Sequence, residues 1–214
     1  MRALLGGKGA NLAEMSSIGL PVPPGFTVTT EACRYYSAHK GQWPTGLEDE
    51  IRSGLTQIEK TLGRRFGDPA RPLLVSVRSG GAQSMPGMMD TVLNLGLNGE
   101  VVEGLAREAG NERFAYDAYR RFIDMFSAVV MDIDHHHFEE ALASMKAKKG
   151  VKNDLDLDAN DLKLLVDQFK AIYEHHAGHA FLSDPYLQLQ HAINAVFESW
   201  DSARAIKYLS LIHI

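Results

Sequence analysis

The placement of glycine and proline limits the fold of this chain more than any other feature. Most of its 19 glycines and all but one of its 8 prolines precede Asn98. Both residues interrupt regular helix, glycine through its backbone freedom and proline through its missing N–H. Residues 1–97 therefore read as a mixture of short helices, strands and loops. Residues 98–208 carry few breakers and little β-pattern, and read as mostly helical. The expected class is α/β (α+β), and no internal repeat or low-complexity tract argues otherwise.

Composition narrows the function classes. A chain of 214 residues suits one large domain or two small ones. With 45% hydrophobic and 23% charged residues it can bury a sizeable core, which excludes wholesale disorder. The balance of 22 Lys+Arg against 27 Asp+Glu gives no support to broad nucleic-acid or membrane-surface binding, although a local basic patch could still hold phosphate. The lone Cys33 cannot build a disulfide framework, so a reducing, cytoplasmic setting is expected. No apolar run approaches the ~20 residues that span a bilayer. Glycine and lysine interrupt the N-terminus too early for a signal peptide.

Local signals place the elements. Gly9 to Ser17 reads as a short helix behind a glycine turn, stopped at Gly19. Pro21, Pro23 and Pro24 keep the chain extended, and Phe26-Thr27-Val28-Thr29 alternates like a strand. Thr29 or Thr30 caps a helix through Glu31–Ala38. Leu47, Ile51, Leu55, Ile58 and Leu62 form one helical stripe. Leu73 to Arg78 reads as one apolar strand, and Met89 to Leu95 as another. In the second part Asn111 caps a helix on which Phe114, Ala118, Phe122, Met125 and Val129 share a face. His137–Lys148 is a further helix, and Asp158 caps a long one through Leu162, Leu165, Phe169 and Ile172. Asp184-Pro185 opens the last, running to about Trp200.

Two segments carry chemistry. In Gly6-Gly7-Lys8-Gly9-Ala10-Asn11, glycines allow close backbone approach, and the helix behind them offers N–H groups and a positive dipole end. Lys8 there can pair with a phosphate oxygen. The spacing is not that of a P-loop, and a glycine turn with a solvated lysine fits equally well. In Val75-Ser76-Val77-Arg78-Ser79-Gly80-Gly81 a strand ends by delivering an arginine and two glycines, which suits a bidentate phosphate clamp. Met85, Met88 and Met89 surround Pro86-Gly87 in a polar loop; methionines usually pack cores, but these could cover a nucleobase or line a lid. Together the two segments outline a polyphosphate cradle.

Other residues read more plainly. Arg113 and Arg120 are expected on a solvated helix face, and Arg121 near phosphate for the reason given below. His135, His136, His137, His175, His176 and His179 suggest metal ligands by type. However, adjacent helical residues point about 100° apart, so solvated surface histidines are expected. Cys33 has no CxxC partner and reads as a structural thiol. No nucleophile–base signature stands out.

LLGGKGANLAEM, GLPVPPGFTVTTEAC, LLVSVRSG, SMPGMMDTVLNLGLN, GNERFAYDAYRRFIDMF and AVFESWDSARAIKY together resemble the N-terminal nucleotide-binding region of the pyruvate phosphate dikinase family, across residues 1–208. Related phosphoenolpyruvate synthases share the glycine-lysine turn and a similar arginine strand, but not the methionine loop. The resemblance implies the first part of an ATP-grasp domain with a mostly helical insertion. It implies a partial nucleotide-binding subdomain over 1–97, a helical subdomain over 98–183, and a helix over 184–208 returning to the first. In such enzymes MgATP gives its β,γ-pyrophosphoryl group to a histidine on a separate swivelling domain, and pyruvate becomes phosphoenolpyruvate on another. On that pattern Lys8, Arg78 and Arg121 contact the ATP phosphates, while Gly87 and Met89 belong to the loop covering the nucleotide. The Mg²⁺ ligands are expected beyond residue 208, and Asp90 is not assigned as one. The expected partners are ATP, the phosphohistidine and pyruvate domains of a parent chain, and a second copy in a homodimer, with no nucleic acid and no membrane.

Three departures qualify the resemblance. A short strand usual before Met1 is missing. Ala82-Gln83 stands where many members carry an arginine. The tail Leu209–Ile214 does not match and reads like translated sequencing-library adapter, so a non-native tail on a truncated, singly inactive fragment is expected. The opposing reading is a free-standing, non-catalytic nucleotide-binding or helical interaction module.

Overall fold

Residues 1–81 and 90–211 are described by a computed structural model of the chain. The helices α1 (Arg2–Ser17), α2 (Thr30–Ala38) and α3 (Leu47–Leu62) come first. The short strands β1 (Arg65–Phe66), β2 (Pro72–Leu73), β3 (Val75–Arg78) and β4 (Thr91–Leu95) follow. Then come α4 (Gly99–Ala109), α5 (Glu112–Met131), α6 (His136–Lys149), α7 (Ala159–Ala177), α8 (Pro185–Glu198) and α9 (Ala203–Leu211). The chain separates into two units, 1–63 with 78–91 and 193–214, and 64–77 with 92–192.

The second unit is built around α5, which packs against α4 and α7, while α6 packs on α7. Local chemistry fixes the helix ends. The Asn98 side chain accepts from the N–H groups of Glu100 and Val101, and Asn111 accepts from Phe114. Asp158 and Asp161 form a reciprocal capping box, and Gly110, Gly150 and Gly178 close three helices in the left-handed region. Asp184 accepts from the N–H groups of Tyr186 and Leu187, as its position before Pro185 predicts.

The buried face of α5 differs from the expected stripe. Of the five expected residues Phe122 alone is fully buried, and Phe114 is 51% exposed. The core side is instead Ala115, Tyr116, Tyr119, Phe122, Ile123 and Phe126. This helix is apolar around much of its circumference, so spacing alone permits several stripes, and α4 and α7 select one. Phe181 stands edge-on to Phe122, Phe126 and Tyr173, with ring centroids 5.0–5.8 Å apart. Buried Gln188 ties loops to α8: it accepts from Gly96 N–H at 3.0 Å and donates to the carbonyls of Leu97 and Leu182 at 2.9 and 2.8 Å.

The expected strand Leu73–Arg78 divides at Leu74. Its first part pairs in parallel with β1, in register Arg65 to Pro72 and Phe66 to Leu73, and its second part pairs with β4. One apolar run thus serves two small sheets.

In the first unit, Leu47, Ile51 and Leu55 of α3 are buried as the stripe predicts, whereas Leu62 is exposed at the helix end. Tyr36 on α2 donates to Glu198 at 2.6 Å and packs against Phe197. Trp43 donates to Asn194 at 2.7 Å. Phe26–Thr29 carries no regular secondary structure, and Thr29, at φ −73° and ψ 159°, is extended where it caps α2. Its side chains dock singly: Phe26 lies so close to Gly54, and Thr27 to Gly9, that a Cβ on either glycine would approach within 2.7 and 2.9 Å. β-propensity marked the segment as a strand, but among the described residues no strand pairs with it.

Candidate functional site

The site begins with a break inside a helix. The sequence places the glycines in a turn ahead of a helix starting at Gly9. Instead α1 already runs from Arg2, and it is interrupted at Gly6, whose φ of 69° and ψ of 173° are not helical. That region of backbone space is open essentially to glycine alone. The break gives the chain a fresh helical start at Gly7, with the positive dipole end that accompanies one.

The arginine-bearing segment docks onto this break. The Gly7 N–H donates to the Gly81 carbonyl at 2.7 Å. A Cβ added to Gly6 would come within 1.5 Å of the Gly80 oxygen, so the two backbones touch only because Gly6 has no side chain. A Cβ on Gly80 would in turn lie 3.7 Å from that of Lys8. The two segments singled out in the sequence, far apart along the chain, therefore meet. Arg78 ends β3 and is exposed, Ser79 behind it is buried, and Lys8 faces solvent beside Gly80. Among the described residues neither cation has an ion-pair partner. Thr30 steadies the start of α1 by donating to the Ala3 carbonyl at 2.6 Å. An exposed lysine and arginine on a glycine-pinned backbone offer the charge and approach that a polyphosphate requires.

Gly87 and Met89, with the rest of the methionine loop over 82–89, lie outside the described residues.

Arg121 belongs to the second unit, on α5, with its side chain 60% exposed. Its Nε lies 3.1 Å from Oδ2 of Asp117. The neighbouring arginines correct the expected solvated face. Arg120 is 4% exposed, and its Nη2 lies 2.8 Å from Asp117 and 3.0 Å from Asp154. Asp154 also meets Lys146 at 2.9 Å, and these cations hold its carboxyl below the usual range, Lys146 foremost. Arg113 donates to the carbonyls of Leu157 and Asp154 at 2.8 and 2.7 Å. Both arginines fasten the 150–158 connection to α5. Helical position placed them on the surface, but a carboxylate and two carbonyls more than thirty residues away took them inward.

Four histidines do gather: the rings of His136 and His137 stand 6.5 Å apart, and those of His175 and His176 5.1 Å. His135 contacts Asp124 at 2.6 Å and Glu139 at 3.3 Å, His136 contacts Glu140, and the rings of His137 and His176 stand 4.4 Å apart. Among the described residues no group of three His, Cys, Asp or Glu is arranged to hold a metal ion. Burial, helped by Asp201, raises the Cys33 thiol to about 11, which leaves it unreactive near neutrality. Among the described residues no helix is long and apolar enough to cross a membrane.

Two features were missed in the sequence. One is the contact of Gly6 with Gly80, for which nothing local gives a signal. The other is Asp117, three and four residues before Arg120 and Arg121, whose helical spacing did carry a signal.

Comparison with known proteins supplies the family. The model of the pyruvate phosphate dikinase AMP/ATP-binding domain matches residues 2–59 and 38–214. Pyruvate, phosphate dikinase 1, chloroplastic, of Oryza sativa subsp. japonica is 64% identical over 211 residues, 99% of this chain and 22% of its own length. Pyruvate, phosphate dikinase, chloroplastic, of Mesembryanthemum crystallinum is 61% identical over the whole chain and 22% of its own length. Pyruvate, phosphate dikinase 2 of Zea mays is 60% identical over the whole chain and 24% of its own length. The chain thus spans less than a quarter of the length of the relatives it matches. With the match extending across both units, this chain belongs to the pyruvate phosphate dikinase AMP/ATP-binding domain family.

Proposed function

We propose that this chain is the ATP-binding part of a pyruvate, phosphate dikinase, in which Lys8, Arg78 and Arg121 hold the phosphates of ATP. The observation that carries this reading is the docking of Gly6-Gly7-Lys8 against Arg78-Ser79-Gly80-Gly81. Family membership supplies the nucleotide and the reaction; the docked backbone supplies a reason for these residues.

Phosphoryl transfer asks little covalent help of a protein but much positioning and charge neutralisation. Arg78 at a strand end is a rigid fork for phosphate oxygens, and Lys8 a more mobile point charge. Both project from backbone fixed by the Gly6 contact, so little conformational freedom is lost when a phosphate arrives. Gly87 and Met89 are assigned to the covering loop. The fold is proposed as the first part of an ATP-grasp domain. The pyrophosphoryl acceptor is a histidine on another domain of the parent enzyme, and conversion of pyruvate to phosphoenolpyruvate takes place on a further one. The parent is proposed to be a cytoplasmic homodimer, in keeping with the lone thiol; several relatives carry chloroplastic names.

Mg²⁺ is expected with ATP, where it would neutralise phosphate charge. The described residues supply no ligand cluster for it, so no residue here is assigned to the metal.

Lys8→Ala and Arg78→Ala in a full-length enzyme carrying this segment should each slow AMP formation by roughly 10²-fold, the scale of losing one preorganised donor to transition-state charge. AMP formation near the unsubstituted rate in both variants would overturn the assignment.

A further inference from the structure

Asp117 occupies an unusual position between two consecutive arginines. It lies three residues before Arg120 and four before Arg121, so one carboxylate reaches both along the same helix. The two arginines differ sharply in environment. The Arg120 side chain is 5% exposed and the Arg121 side chain 60%, with Asp117 between them at 16%.

The two carboxylate oxygens divide the work. Oδ1 lies 2.8 Å from Nη2 of Arg120, and the same nitrogen lies 3.0 Å from Oδ2 of Asp154. Arg120 donates to Asp154 and stands in ion-pair contact with Asp117, whose buried Oδ1 accepts no hydrogen bond among the described residues. Oδ2 is left to face Nε of Arg121 at 3.1 Å. A guanidinium has two edges that can form a bidentate pair, one including Nε and one made of Nη1 and Nη2. Asp117 occupies the Nε side. Among the described residues no bond engages the Nη1–Nη2 edge of Arg121.

The geometry points to Asp117 as a positioning residue: set between Arg120 and Arg121, it draws Arg121 by charge from the Nε side and leaves the Nη1–Nη2 edge for the phosphate oxygens of a nucleoside polyphosphate. This rests on the reading of Arg121 as a phosphate ligand given above. An exposed ion pair of this kind adds little stability, so the contact is better understood as fixing direction. A free arginine on a helix surface samples many rotamers, and a ligand must order it on binding. With Asp117 already drawing the guanidinium from its Nε side, part of that ordering precedes the ligand.

The experiment uses the 214-residue chain, with Asp117→Asn to retain shape and Asp117→Glu as the conservative variant. The first readout needs no ligand: ¹⁵N relaxation of the Arg121 Nε–H group. It should be restrained in the unsubstituted chain, mobile in Asp117→Asn and restrained again in Asp117→Glu. The second is binding of inorganic tripolyphosphate in Asp117→Asn, Arg121→Ala and the double variant. Asp117→Asn should weaken binding by roughly two- to tenfold, the cost of ordering one long side chain, and should add nothing once Arg121 is gone. An unchanged Nε–H signal in Asp117→Asn would overturn the positioning role. An equal loss with and without Arg121 would make the effect a general structural one and overturn it also. Unchanged affinity in Arg121→Ala, with Nε–H still released in Asp117→Asn, would instead remove Arg121 from the phosphate site and the ligand from this proposal. Amide spectra of each variant report whether α5 remains folded, and the double-variant comparison holds for small losses of stability.

Discussion

The two units spend their apolar residues differently. Of the twelve largest fully buried side chains among the described residues, Ile51 alone lies in the first unit, and the other eleven, Tyr173, Phe122 and Phe169 among them, lie in the second. The large exposed apolar residues lean the other way: of sixteen among the described residues, eleven belong to the first unit and five, Leu93, Phe114, Leu155, Leu164 and Leu187, to the second. The second unit is a packed helical core held by caps and aromatic contacts. The first holds its candidate site by backbone docking at glycine. A core tolerates a range of apolar residues if its volume is kept, whereas a backbone-on-backbone contact tolerates one residue type. The unit that carries the candidate phosphate cradle is therefore the less buried and the more sensitive at single positions.

The largest expected effect tests the core side. Phe122→Ala removes a fully buried ring that meets both Phe126 and Phe181. It should cost the second unit about 3–5 kcal/mol. Hydrogen exchange should show the loss first in α5 and α7. An equal loss of protection in α1 and α3 would break the comparison, because the units would then unfold as one.

Next comes the docking side. Gly6→Ala sets a Cβ against the Gly80 carbonyl and a side chain into glycine-only backbone space. The backbone strain alone is worth about 1–3 kcal/mol. The expected result is faster exchange at the Gly7 N–H and weaker nucleotide binding, with protection in α5 unchanged. Unaltered exchange at Gly7 would show that the contact with Gly81 does not depend on the Gly6 break.

The smallest effect sharpens the comparison through pH. The contact with Asp124 raises the His135 pKa above its ordinary 6.5, and burial raises that of Asp124. A histidine whose folded pKa is raised contributes stability that is complete below the unfolded value and lost as pH rises through the folded one. The second unit should therefore weaken as pH climbs above 6.5, modestly because His135 is more than half exposed. His135→Gln should flatten that decline in urea midpoints between pH 6 and pH 8. An identical decline in the variant would assign it to other groups.

Helix ends were the most legible part of the fold. Thr29, Asn111, Asp158 and Asp184 all cap where the sequence places them, because a cap bonds to N–H groups two or three residues away. The strand expected at Phe26–Thr29 is not formed among the described residues, because a ladder needs a neighbour that the local pattern does not name. The division at Leu74 was not legible, since both halves are apolar and the partners decide. In the candidate site, the chemical types of Lys8, Arg78 and their glycines could be read directly. The burial of Arg120 could not, because Asp154 lies 34 residues away.

The sequence by itself determined α2, α3 and α5 to α8, the caps at Thr29, Asn111, Asp158 and Asp184, the glycine-bearing segments and, through resemblance, the family. Each of these depends on residues within a few positions or on a motif read along the chain. Tertiary structure alone decided which face of α5 is buried, which sheet each half of Leu73–Arg78 joins, and that Gly6 meets Gly80. These are contacts between distant residues, selected by packing against particular neighbours, and a local pattern is compatible with several of them.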